Sequence, residues 1–278
     1  MPASDTPPPD TGKAPPTAEK DKVPLRDKLK YGSGIFGFQI GNNAVQELAY
    51  PIYNILLGMP ASLIGLVLTI SRFWDAFTDP FMGSVSDNAR TRWGRRKPFI
   101  LLGAVLCTIT YASIWVVPEG LGDGPKFVYL LVTALLFFTS FTIFAVPYTS
   151  QGFELTPDYH ERTRVMAVRA YFAKGAAVII PWVFAMAHWD IFSSQMSGVR
   201  VLGVVVGLLI ILSALPTLFV EERFEKVATG QLKMPFWKGV RETLKNKPFL
   251  FLVGLTVATQ TTVLAIGALG LYVSIYYV

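Results

Sequence analysis

Residues 71–80 read SRFWDAFTDP and interrupt an apolar run, with SLIGLVLTI before them and FMGSV after. At 3.6 residues per turn, Arg72, Asp75 and Asp79 fall at i, i+3 and i+7 and share one helical face. A charge at membrane depth costs about 2.5–3.5 kcal/mol on insertion scales. Such residues therefore face a bundle interior or a watery cavity and mark ion or substrate paths. One guanidinium and two carboxylates leave one negative charge unbalanced, which a single Na+ or H+ neutralises. Pro80 removes the hydrogen bond to the carbonyl of Ala76 and so frees an oxygen on the same turn. Hard cations take oxygen ligands of this kind. The same residues also admit a structural reading, in which Asp75 or Asp79 pairs with Arg72 or with a neighbouring helix. The stretch alone leaves both open.

The rest of the chain supplies the hydrocarbon setting. Of 278 residues, 52% are hydrophobic and 16% charged, against roughly 25% charged in soluble domains. Apolar residues fall in blocks of about twenty, the length that carries a helix across about 30 Å of hydrocarbon. Seven blocks are read, at roughly 32–57, 62–84, 98–117, 127–151, 169–189, 200–220 and 248–278. They are expected to be helices, because spanning backbone must satisfy its own hydrogen bonds. The predicted fold class is an all-α membrane protein. Residues 1–24 are rich in Pro, Lys and Asp without a signal-peptide apolar core, and read as a disordered tail. The single Cys107 excludes an internal disulfide or a zinc–cysteine cluster. No nucleotide loop, catalytic triad or metal-ligand cluster gives an enzyme residues to rest on, and no cofactor is expected.

Lys and Arg crowd alternate segments. Lys20, Lys22, Arg26, Lys28 and Lys30 precede the first block; NARTRWGRRK, DYHERTR and the stretch 223–247 carry most of the remainder. The intervening loops, GMPAS, PEGLGDGPK and DIFSSQMSGVR, are nearly bare. The positive-inside rule then predicts a multi-pass protein of the inner or plasma membrane with its N-terminus in the cytoplasm. This asymmetry also accounts for the net charge of +6, so a nucleic-acid partner is not needed to explain it.

The string DAFTDPFMGSVSDNARTRWGRRKPFILLG resembles the glycoside-pentoside-hexuronide:cation symporters, the melibiose-permease-like branch of the major facilitator superfamily. The resemblance extends over KLKYGSGIFG, RWGRRKPFIL and FTIFAVPYTSQGFELTPDYHERTRVMAVRAYF, nearly everything after about residue 27. In that family the two helix-2 aspartates form the coupling-cation site. The resemblance therefore implies a Na+ or H+ site at Asp75 and Asp79, with Thr78 and Thr142 as oxygen donors. It also implies a gate at the loop after the second span, with Gly83, Asp87, Arg95 and Arg96 at its landmarks and Arg72 in the charge network. Acid and base groups there would pair across the two halves of the transporter and part as it opens inward.

Gln39, Asn42, Asn43 and Gln46 form one polar stripe on the first block, and amides in hydrocarbon need partners. Either they bond to neighbouring helices or they line a cavity for a neutral, hydroxyl-rich solute. The resemblance favours the cavity, with Gln39, Asn42, Gln46, Thr149 and Arg169 as substrate-binding candidates. The chain departs from the melibiose-permease pattern by carrying Gln39 and Ala145 where that pattern has aspartates, and Thr149 where it has tryptophan. Arg169 matches. Two carboxylates lost beside a retained arginine suit an anionic, hexuronide-like glycoside. Glu47 either faces the outer vestibule or adds a titratable group, and Lys174 either lines the inner cavity or snorkels to headgroups.

The expected organisation is a tail at 1–27, a six-helix N-terminal half at 28–220, a cytoplasmic linker at 221–247 and a seventh span at 248–278. In the linker, MPFWKGVRETLKNKPF can form an amphipathic helix on the membrane surface. The family folds as two six-helix halves around a central site, so the chain is expected to be truncated, lacking most of a C-terminal half. The function implied is cation-coupled sugar or glycoside symport. Two alternatives stay open: transport of another amphipathic solute such as a lysolipid, and a non-transporting fragment.

Overall fold

The computed structural model describes residues 18–118, 120–187, 189, 191–221, 236–260 and 262. It divides into two compact units, 1–230 and 231–278. The first contains six long helices: α1 (Leu25–Ala49), α2 (Ala61–Asn88), α3 (Lys97–Trp115), α4 (Asp123–Phe153), α5 (Tyr159–Met186) and α6 (Gln195–Ala214). The second contains α7 (Phe236–Lys245) and helical backbone over 247–260. No strand occurs among the described residues. By length and composition alone, α3, α4 and the stretch Gln195–Phe219 are apolar enough to cross a membrane. The other three long helices are more polar: α1 opens on Arg26, Asp27, Lys28 and Lys30, α2 contains Arg72, Asp75 and Asp79, and α5 opens on HERTR.

Helix ends do not coincide with the ends of the apolar blocks. α1 begins at Leu25, because Lys30 reaches back one turn to Asp27 (3.1 Å) and ties down the charged first turns. α5 begins ten residues before its apolar block, with the Asp158 carboxylate accepting the Glu161 N–H at 2.7 Å as an N-cap does. At Pro51 α1 passes into a π-helical stretch, Tyr50–Leu56. Such wide turns absorb the carbonyl that a proline leaves unpaired. Through Pro80, α2 stays helical.

In the first unit α3 packs on α4 and α6, α1 on α5 and α6, and α2 on α4. Gly103 lets α3 lie directly against the α4 backbone at Ile143 and Phe144, where any Cβ would collide with main-chain atoms. Close backbone approach at small residues is how membrane helices gain packing energy without a hydrophobic drive between them. The interior is a continuous ladder of rings: Tyr31, Tyr148, Phe144, Phe141, Phe137, Tyr111, Trp115 and Tyr53, with successive centroids 4.9–6.4 Å apart. Most of these rings belong to α3 or α4, the pair that fixes where the candidate sites sit.

Candidate cation and substrate sites

The α2–α4 seam brings together the residues singled out around DAFTDP. The Thr142 hydroxyl, on α4, donates to Asp79 Oδ1 at 2.7 Å. Thr78 Oγ1 lies 3.5 Å from Thr142 Oγ1. One turn away, Arg72 Nη1 stands 3.4 Å from Asp75 Oδ2, a long contact with the arginine half exposed. The guanidinium also sits over the Phe138 ring, 5.5 Å from its centroid. Asp75 Oδ1 is buried with no hydrogen-bond partner. An orphaned carboxylate oxygen in a poorly solvated position is costly until a cation or proton reaches it. The donors on this seam are carboxylates and hydroxyls, the hard oxygens a monovalent ion takes. Thr142 donates one proton to Asp79 and keeps lone pairs that can turn to such an ion. No group of three or more His, Cys, Asp or Glu side chains gathers among the described residues.

On the neighbouring seam, α1, α4 and α5 converge around Arg169. Its guanidinium carbon lies 5.6 Å from the ring centroids of both Phe38 and Tyr148, and its Nε is buried without a hydrogen-bond partner. Tyr148 is itself fixed, donating to the Tyr31 carbonyl at 2.9 Å and stacking on Tyr31. The result is a cation walled by aromatic faces. Gln39 and Thr149 are both partly exposed, on α1 and α4. Asn43 and Gln46 have interactions within the protein. The side chains of Asn42 and Glu47 lie outside the described residues. Lys174 is exposed.

The basic loop between α2 and α3 closes on its own half. Arg95 and Arg96 are 8% and 5% exposed. Arg96 reaches Asp87 at 2.9 Å and holds Glu154, at the end of α4, with two contacts of 2.8 Å; Arg95 binds the same carboxylate. Gly83 faces α4 with room to spare, its nearest neighbour being Val146. Sequence reasoning does not pick out Glu154 as a site residue, although a signal exists: it is the one acid between the last apolar turn of α4 and the DYHERTR segment and its preceding Pro157. Phe38, Tyr31 and Tyr148 give no such signal, since aromatic residues in apolar helices read as packing.

The sequence matches the MFS/sugar transport protein family over residues 30–278. An uncharacterized symporter of Synechocystis sp. is 35% identical over 164 residues, 57% of this chain and 30% of that protein. A putative glycoside/cation symporter of Escherichia coli is 31% identical over 159 residues, 57% of this chain and 34% of that protein. A sodium-dependent lysophosphatidylcholine symporter of Mus musculus is 33% identical over 159 residues, 54% of this chain and 29% of that protein. These matches span about a third of the relatives' length.

Proposed function

Because the chain belongs to the MFS/sugar transport protein family, a family of transporters and not of enzymes, we propose that the full-length protein drives inward movement of a sugar or glycoside with a Na+ or H+ gradient. Helices α1–α6 would form the first six-helix half of a two-half fold, 248–278 a seventh span, and the site would lie between the halves. The N-terminus and the basic loops would be cytoplasmic. One observation carries the reading. Asp75, with a buried unpartnered oxygen, stands one turn from Asp79, which is held across the seam by Thr142.

The mechanism follows from charge. With the seam empty of cation, Arg72 leaves one of the two carboxylates uncompensated; a bound monovalent cation neutralises it. Neutralisation removes the desolvation cost of closing the halves over the seam. Substrate held near Arg169 then favours the same closed arrangement, and coupling is the difference in affinity of each ligand for the two states. A permanent cation between aromatic faces suits a hexuronide-like glycoside, whose carboxylate it would pair and whose ring it would flank.

Uptake by the full-length protein in vesicles tests this. Asp75→Asn and Asp79→Asn should each lower gradient-driven accumulation more than exchange or binding. Unchanged accumulation in both variants removes the cation site. A second reading rests on the mouse relative, whose name gives a lysophospholipid as solute. Competition of labelled hexuronide uptake by unlabelled sugars against lysophosphatidylcholine separates the two.

A further inference from the structure

Helix α7, FWKGVRETLK, lies in the segment that the transport reading leaves without a role. A rotation of 100° per residue puts Phe236, Trp237, Val240 and Leu244 within an arc of about 100°. Lys238, Arg241 and Lys245 fall within about 60° of one another on the adjoining flank. The helix holds one acid, Glu242, whose contact with Lys245 is 3.1 Å between side chains more than half exposed. Such a pair contributes little and leaves the cations available. Leu244 is 59% exposed.

The chain beyond α7 tethers its C-terminal end. Asn246 alone separates it from the helical backbone over 247–260. The Asn246 side chain accepts the Phe249 N–H at 3.3 Å, and its carbonyl accepts the Leu250 N–H at 3.0 Å, so it caps the second helix. That helix opens on Lys247 and Pro248 and continues as FLFLVGLTVATQ. A ten-residue helix is about 15 Å long. Joined through one residue to a helix that enters hydrocarbon, it has its C-terminal end tethered at the headgroup level and its whole length within about 15 Å of it. This step rests on reading 248–278 as a membrane span, part of the proposal above.

We propose that α7 is an interfacial helix that docks on anionic phospholipid, with Phe236, Trp237, Val240 and Leu244 in the acyl boundary and Lys238, Arg241 and Lys245 at the phosphates. Each basic side chain near an anionic surface shifts docking by about five-fold, so three give about a hundred-fold before salt screening.

The test uses full-length protein in nanodiscs, with a fluorophore on Leu244→Cys or Glu242→Cys and no other reactive cysteine; Cys107 is buried. In discs containing phosphatidylglycerol, the label at 244 should be shielded from iodide and quenched by doxyl lipid, with the label at 242 open to iodide. Pure phosphatidylcholine discs, or the triple change K238E, R241E and K245E, should remove the shielding at 244. Two results overturn the proposal: iodide access at 244 equal to that at 242 in anionic discs, or shielding indifferent to lipid charge and to the triple change. The readout needs neither substrate nor gradient, so its failure is separate from failure of the transport reading.

Discussion

Glu154→Gln keeps the shape of the side chain and removes the charge that two buried arginines share. Arg96 grips Glu154 with both terminal nitrogens at 2.8 Å and Arg95 joins it. Cutting one partner out of a fully buried ion pair costs about 3–5 kcal/mol. Two features reduce that here. The Glu154 side chain is 33% exposed, and Arg96 retains Asp87 at 2.9 Å. Water screening of Glu154 and the surviving pair leave an expected loss of about 1–2 kcal/mol. For a unit of roughly 150–250 residues each kcal/mol moves Tm by about 2–4 °C, so the expected drop is about 2–8 °C. Scanning fluorimetry of the detergent-purified protein measures it. Asp87→Asn should cost less, because Asp87 is 56% exposed and holds only one arginine through its side chain. A Glu154→Gln drop no larger than that of Asp87→Asn would refute the claim that α4 anchors the loop through this carboxylate.

Thr142→Val deletes the hydroxyl on Asp79 at nearly constant volume; with Asp79 partly in solvent, a loss of about 1 kcal/mol should weaken apparent cation affinity of uptake about five-fold, and Thr142→Ser should restore it. Gly103→Val forces a side chain into the backbone of Phe144 and should cost about 1–3 kcal/mol in thermal unfolding, whereas Gly83→Ala, whose new methyl would meet only Val146 at 3.8 Å, should be neutral or slightly stabilising. Glu161, in the first turn of α5 ahead of its apolar block, is pushed up by burial, but the Lys28 ammonium at 2.6 Å, the Val23 N–H and Arg164 outweigh this and hold its carboxyl below the ordinary value of 4.5. A carboxyl lowered by folding adds stability above its unfolded value and loses it as pH falls through the folded one; wild type should therefore melt above Glu161→Gln at pH 7, with the gap closing below about pH 4.5.

How much of this was legible in the sequence depends on what kind of interaction fixes each feature. The apolar blocks are set by solvent transfer, which is additive along the chain, so the six helices of the first unit follow from composition. Their ends are set by single hydrogen bonds and ion pairs, such as Asp158 on the Glu161 N–H and Lys30 on Asp27, which hydropathy does not register. The common face of Arg72, Asp75 and Asp79 follows from helical period alone. Thr142 as an oxygen donor beside the carboxylates is implied only by a resemblance to a family, and its bond to Asp79 is visible only in the structure, because inter-helix register depends on backbone approach at positions like Gly103. The aromatic walls around Arg169 were hidden for the same reason: Phe38 and Tyr148 acquire meaning only when α1 and α4 are placed beside α5.

Placement of the three clusters gives α4 a particular burden. Thr142 faces the α2 carboxylates, Tyr148 supports the Arg169 guanidinium, and Glu154 holds the basic loop. Successive members are six residues apart, about 9 Å along the axis and 240° around it. One helix thus presents a carboxylate-bound hydroxyl, an aromatic wall for Arg169 and a loop anchor to three different neighbours. Its contact with α3 at Gly103 and Phe144 lies between the first two, where the backbones touch. A close-packed contact of this kind does not deform gradually but switches between packings. On the proposed mechanism, neutralising Asp75 and Asp79 changes what α2 demands of Thr142. Tyr148 and Glu154 would follow a tilt that answers it, because α4 stays helical through Pro147 to Phe153 and Glu154 caps it. Coupling between ion and solute then needs no chain of signalling residues. It needs only that a single helix cannot satisfy its three sides independently.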